Sequence, residues 1–171
     1  MPKTTFMLRR KVLFSFLFAL LLFSSNAFFA QTKIAGIVNS YTSVTGVNLP
    51  VCNAFDLNCT HTITVSDGSK FTVGDKALII QMKGATINTS NNASGGSITA
   101  INDAGNYEFF EIASIVGNVL TPRYPLIKRY NVAGLVQVVT IPKYTGTVTI
   151  DGILTAEDWT DAKKNGRCIG Y

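Results

Sequence analysis

Residues 62–84 read TITVSDGSKFTVGDKALIIQMKG, and this stretch decides the fold class. Thr62-Ile63-Thr64-Val65 alternates polar and apolar side chains, the period of a strand with one face buried. The alternation stops at Asp67-Gly68, a strong turn dipeptide. Phe71-Thr72-Val73 leads into a second turn signal, Gly74-Asp75. Residues 77–82, ALIIQM, are a continuous apolar run short enough for a core strand, and Gly84 lets the chain bend after it.

The same pattern extends in both directions. Residues 34–44, rich in Val, Thr and Tyr, predict a strand before this stretch. After it come residues 107–115 (YEFFEIASI), the turn Gly117-Asn118 into Val119-Leu120-Thr121, residues 135–141 (LVQVVTI) and residues 147–150 (TVTI). Pro122, Pro125 and Pro142 fall where strands should end, as expected of a residue without a backbone donor. Residues 86–106 read as a long connection rich in Asn, Ser and Gly, anchored by Ile87, Ile98 and Ile101. No stretch of ten residues shows a capped helical face. Short strands separated by turn signals predict an all-β fold, a small β-barrel or sandwich-like domain over residues 31–159. Residues 160–171 form an irregular tail with neither period.

The first thirty residues predict an address. Lys3, Arg9, Arg10 and Lys11 precede twelve apolar or small residues, 12–23, and then Ser24, Ser25, Asn26 and Ala27. This is the three-part plan of a secretory signal helix, with cleavage after Ala27 or Ala30. The apolar run falls short of the about 20 residues that span a bilayer. An uncleaved anchor is the alternative. The 171-residue chain carries a net charge of +5, but residues 1–30 hold four of its fifteen basic residues and no acid. The remainder balances at +1, so a nucleic-acid partner has no electrostatic footing. Lys128-Arg129 is a doublet, not a patch. No membrane span is expected in the mature chain. The 47% hydrophobic content excludes a disordered chain.

Chemistry is sparse. Cys52 and Cys59 enclose six residues, and in an exported chain they most simply form one disulfide, worth at or below roughly 3 kcal/mol for so short a loop. Free thiols, or a zinc site completed by His61, are the alternatives; Cys168 is left over in the tail. A Ser-His-Asp triad would have to use His61, the chain's one histidine. Glu108 and Glu111 are the closest acidic pair within a strand, but three residues apart on a strand they point to opposite faces. Asp103 and Asn106 could supply oxygen ligands to calcium, without the acidic density of a tight site. Gly95-Gly96 lacks phosphate-loop spacing. Asn88-Thr-Ser and Asn92-Ala-Ser match glycosylation sequons. These residues predict no enzyme, no cofactor and no metal. Tyr107, Tyr124 and Tyr130 are the candidate ligand-contact aromatics, with surface glycans as a candidate partner.

Three long phrases carry a family resemblance: residues 65–91 (VSDGSKFTVGDKALIIQMKGATINTSN), 96–121 (GSITAINDAGNYEFFEIASIVGNVLT) and 136–159 (VQVVTIPKYTGTVTIDGILTAEDW). They resemble the N-terminal region of very large secreted Bacteroidetes surface proteins. Such proteins are adhesin-like, often carry PKD or immunoglobulin-like repeats, and end in a gliding-motility-associated or type IX secretion sorting domain. The resemblance implies a structural or adhesion module at the cell surface, followed by β-rich repeats as its partner. It transfers no site residue. The tail, TDAKKNGRCIGY, departs from the family pattern. Codons GGN-CGG-TGC-ATT-GGC for residues 166–170, entered one base later, give Gly-Gly-Ala-Leu-Ala, the kind of segment relatives have next. A frameshift truncating a longer protein is therefore expected, and such a product would stop in the periplasm.

Overall fold

A computed structural model describes residues 31–51, 59–160 and 164–166. The expected signal helix, both its cleavage points, Cys52 and Cys168 lie outside the described residues. The fold is all-β. Its ten strands are β1 (Thr32–Ile37), β2 (Tyr41–Asn48), β3 (Thr62–Val65), β4 (Lys76–Gln81), β5 (Thr86–Ile87), β6 (Ile98–Ala100), β7 (Tyr107–Val116), β8 (Val119–Pro122), β9 (Val136–Ile141) and β10 (Val148–Thr155). Single 3-10 turns cover Gly68–Lys70 and Val132–Gly134.

Six strands close into a barrel in the order β2-β3-β8-β7-β4-β9, with every neighbouring pair antiparallel. The barrel alternative is thus the correct one of the two expected architectures. Closure follows from alternation. Ile63 and Val65 of β3, Ala77 and Ile79 of β4, Phe110 and Ile112 of β7, and Leu120 of β8 all point inward and are buried. Phe71, from the loop after the first 3-10 turn, and Leu126, from the loop after β8, complete this core. The turn signals hold locally. Asp67 caps the Gly68–Lys70 turn by accepting from the Ser69 amide at 3.1 Å. Asp75 accepts from the Thr72 amide at 2.7 Å, with Gly74 at φ 90°. Gly117, at φ 58°, opens the two-residue β7–β8 hairpin, the position that a type II′ turn reserves for glycine.

The structure corrects three sequence expectations. Residues 34–44 are not one strand, because the chain turns between Ile37 and Tyr41, and the two pieces pair with different partners. The polar connection 86–106 contains a small hairpin, β5–β6, whose Ile87 and Ile98 are exposed and so give no burial signal. The strand expected at 147–150 runs on to Thr155.

Outside the barrel, β1 and β10 form a separate two-stranded parallel ribbon, with Thr32 opposite Val148 and Ile37 opposite Thr155. Lys33 and Asp151 bridge it at 2.9 Å. In the tail, residues 164–166 have no regular structure, yet they dock on β9. The Gly166 amide donates to Gln137 Oε1 at 2.8 Å and Gln137 Nε2 donates back to the Gly166 carbonyl at 3.3 Å. This explains how β9 can hold a glutamine that is 0% exposed. Among the described residues no helix is long and apolar enough to cross a membrane.

Candidate functional site

The barrel leaves an apolar cleft beside β7, and the cause is visible in the residues YEFF. A strand alternates, so Phe109 and Phe110 cannot share a face. Phe110 and Ile112 enter the core, which turns Tyr107, Phe109 and Glu111 outward. Antiparallel pairing sets Lys76 of β4 opposite Glu111, and Leu78 opposite Phe109. After β8 the chain returns past this wall as residues 124–127. The result is a pocket of about 390 Å³ lined by Lys76, Glu108, Phe109, Glu111, Tyr124 and Ile127, among others.

The loop that forms its rim is held rigidly. Glu108 accepts from the Ile127 and Lys128 amides, each at 2.7 Å, and from the Tyr130 hydroxyl at 3.0 Å. His61, buried, accepts from the Leu126 amide through Nδ1 at 3.0 Å. That bond requires the ring proton on Nε2, which faces the Pro50 carbonyl at 3.0 Å. Both ring nitrogens therefore hold backbone in place, and neither is presented to a nucleophile. Glu111 forms an ion pair with Arg123 Nε at 2.7 Å.

Each expected site residue has a definite place. Tyr107 is exposed and packs edge-on against Phe109, with ring centroids 6.2 Å apart and planes at 79°. Tyr124 is exposed on the cleft wall. Tyr130 is half-buried against the core, with its hydroxyl engaged by Glu108. Cys59 is described, and its expected partner, Cys52, lies outside the described residues. Glu108 and Glu111 leave β7 on opposite faces as expected, Glu108 opposite the buried Ile79 and Glu111 opposite Lys76, yet both border the cleft. Glu108 sits where the 126–130 loop folds over the strand, and its carboxylate turns to the amides there. Asp103 accepts from the Asn106 amide at 3.3 Å, and Asn106 also donates to the Arg129 carbonyl. Among the described residues no group of three His, Cys, Asp or Glu side chains stands ready to hold a metal ion. Asn88 and Asn92 each accept from an amide two residues on, in the exposed loop between β5 and β6. Sequence reasoning missed Phe109, Lys76 and Arg123. The signal for Phe109 was present, since two adjacent phenylalanines on a strand force one outward.

Burial, and then the adjoining Glu108 carboxylate, hold the Tyr130 phenol protonated well above its ordinary value of 10.0. In the unfolded chain the phenol ionises near pH 10; in the folded chain it keeps its proton. Its contribution to stability is therefore whole below about pH 10 and declines as pH rises past that value. Tyr130→Phe should cost about 1 kcal/mol at neutral pH through the lost hydrogen bond. It should also make urea stability fall less steeply than in the wild type between roughly pH 10 and 11. Parallel declines in the two proteins would refute the assignment.

No family model matches the chain, and no curated protein matches it. One solved structure is similar to it, the Gp54 tailspike of Acinetobacter baumannii bacteriophage AP22 in complex with A. baumannii capsular saccharide. The likeness covers 73% of this chain and 18% of that one, at 16% identity and a TM-score of 0.40. Fold and site together define an all-β module: a closed six-stranded barrel carrying a parallel ribbon and an aromatic cleft.

Proposed function

We propose that this chain is a scaffolding, adhesion-type N-terminal module of an exported cell-surface protein of the Bacteroidetes kind it resembles, with no catalytic activity of its own. The observation that carries the proposal is the parallel pairing of β1 with β10. Parallel strands normally occur in wide sheets covered on both faces, and a lone pair of strands is marginal in water. Among the described residues this ribbon is only two strands wide. Its outer edges have no ladder partner among the described residues, and Ile37, Ile150 and Ile153 are exposed on it. The barrel, by contrast, has no edge to offer. A barrel that terminates a ribbon open to further parallel strands has the design of a cap on a stacked β-array, in which each unit buries the face of its neighbour. β-rich repeats following in the full-length protein are the partner this predicts. Residues 1–30 would direct export, to the surface for a full protein and to the periplasm for a truncated one.

A ligand-binding role is favoured by one separate observation, the ring-lined cleft on β7, and it is compatible with scaffolding.

Hydrogen exchange and sedimentation test the scaffolding reading. Barrel amides should be strongly protected while β1 and β10 amides exchange fast at low protein concentration. At high concentration the open ribbon should pair in trans, with gain of protection in β10, and Ile153→Lys should prevent this without moving the unfolding midpoint. Ribbon amides protected as well as the barrel's in a strictly monomeric chain would sink the proposal.

A further inference from the structure

We infer that the β7 cleft is a saccharide-binding site, in which pyranose rings lie against Phe109 and Tyr124 while Lys76 and Glu111 take their hydroxyls. This goes beyond scaffolding and uses none of the ribbon residues.

Two rings that line the cleft, Phe109 and Tyr124, are 66% and 75% exposed. Water is a poor environment for so much aromatic surface, and exposed apolar surface gathered at a cleft marks a binding site. The edge-on packing of Tyr107 against Phe109 fixes the two rings at right angles, so each exposed face is held in a set direction. An aromatic face is negative and attracts the slightly positive C–H groups of a sugar's apolar face.

The polar groups narrow the occupant. Lys76 and Glu111, the latter paired with Arg123, line the cleft together with Phe109 and Tyr124. An apolar helix or strand laid on this wall would strip water from those charges and return no hydrogen bonds, which is unfavourable. A sugar presents hydroxyls at its ring edge and C–H groups on its face. It can replace the water on Lys76 and Glu111 while covering the aromatics. Glu108 plays no such part, because its oxygens are engaged by Ile127, Lys128 and Tyr130.

The cleft is also ready-made. Glu108 and His61 fix residues 126–130 by backbone hydrogen bonds, so little ordering entropy is lost on binding. A volume of about 390 Å³ lies at the small end of ligand sites and suits a few sugar units of a longer chain that runs on into solvent.

The test uses the whole chain on an array of neutral and acidic pyranose oligosaccharides, with titration calorimetry on the strongest responder. Wild-type protein should bind at least one glycan. Phe109→Ala and Tyr124→Ala should each weaken it roughly tenfold, the effect of losing one well-placed stacking partner. Lys76→Gln should weaken it less, and all three should keep the wild-type unfolding midpoint, since the side chains are exposed. Ile153→Lys should bind as the wild type does, so failure of the ribbon proposal and failure of this one are read separately. The inference is overturned if nothing on the array binds, if the Phe109→Ala/Tyr124→Ala double variant binds undiminished, or if Phe109→Ala abolishes self-association instead, which would make the wall a contact between copies of the chain.

Discussion

Gln81→Leu should destabilise the fold by about 3 kcal/mol or more, although it replaces a polar residue in a barrel wall with an apolar one of similar size. Gln81 ends β4 and is 1% exposed. Its Nε2 donates to the Lys83 carbonyl at 2.8 Å and to the Asn102 carbonyl at 3.0 Å. Its Oε1 accepts from the Asn131 amide at 2.8 Å. One side chain thus satisfies backbone from three loops. Two glycines make room for it. A Cβ on Gly134 would collide with Gln81 Nε2 and the Lys83 carbonyl, and one on Gly84 would crowd Gln81 Nε2 and the Asn102 carbonyl. Leucine would strand one donor and leave two acceptors short, at about 1–3 kcal/mol for each group that water does not reach. Gln81→Glu separates the two halves of the argument. It keeps an acceptor for Asn131 but turns a carboxylate toward two carbonyls, so it should be as damaging at neutral pH and recover in acid, where the protonated group can donate. Urea midpoints at pH 7 and pH 4 read both effects. An unchanged midpoint for Gln81→Leu would show that the three loops are held by something else.

The other large effect lies in the barrel interior. Ile79 is 0% exposed at the centre of β4, with Glu108 of β7 on one side and Val138 of β9 on the other. Truncation to alanine costs about 2–5 kcal/mol depending on how far the site can collapse. In an open sheet an edge strand can move in. Here both flanking strands are hydrogen-bonded around a closed ring, so collapse is resisted, and Ile79→Ala should fall in the upper half of that range, near 4 kcal/mol. Ile153→Ala, at a residue 86% exposed, should change stability by less than about 0.5 kcal/mol. Equal costs at the two positions, measured by urea unfolding, would mean that the barrel core is not packed as described.

The strands were legible because alternation is a local property. Ile63 and Val65, or Phe110 and Ile112, announce an inner face without reference to anything distant. What alternation cannot carry is pairing. Nothing in residues 32–37 or 148–155 names the other as a partner, so the parallel ribbon could not be read, and the break between Ile37 and Tyr41 was lost inside a run that reads as one strand. The β5–β6 hairpin escaped because its isoleucines are exposed, and exposure erases the signal. The two interior glutamines were hidden for a different reason. ALIIQM and LVQVVTI read as apolar runs, and only the fold shows that Gln81 and Gln137 each bind backbone that would otherwise be unsatisfied. Of the cleft, Tyr124 was legible as a candidate ligand-contact aromatic. Its polar members were not, since Lys76 becomes a neighbour of Glu111 only through antiparallel register.

The ribbon has a mechanical consequence. Because β1 and β10 run the same way, a pull on the chain before Thr32 and an opposing pull beyond Thr155 slide the strands along each other. The load falls in shear on all the ladder bonds together instead of unzipping them one at a time. The intervening barrel, which follows β1 and precedes β10 in the chain, is shielded from force until the ribbon gives way. The ribbon would then act as a latch backed by a spare length of folded chain.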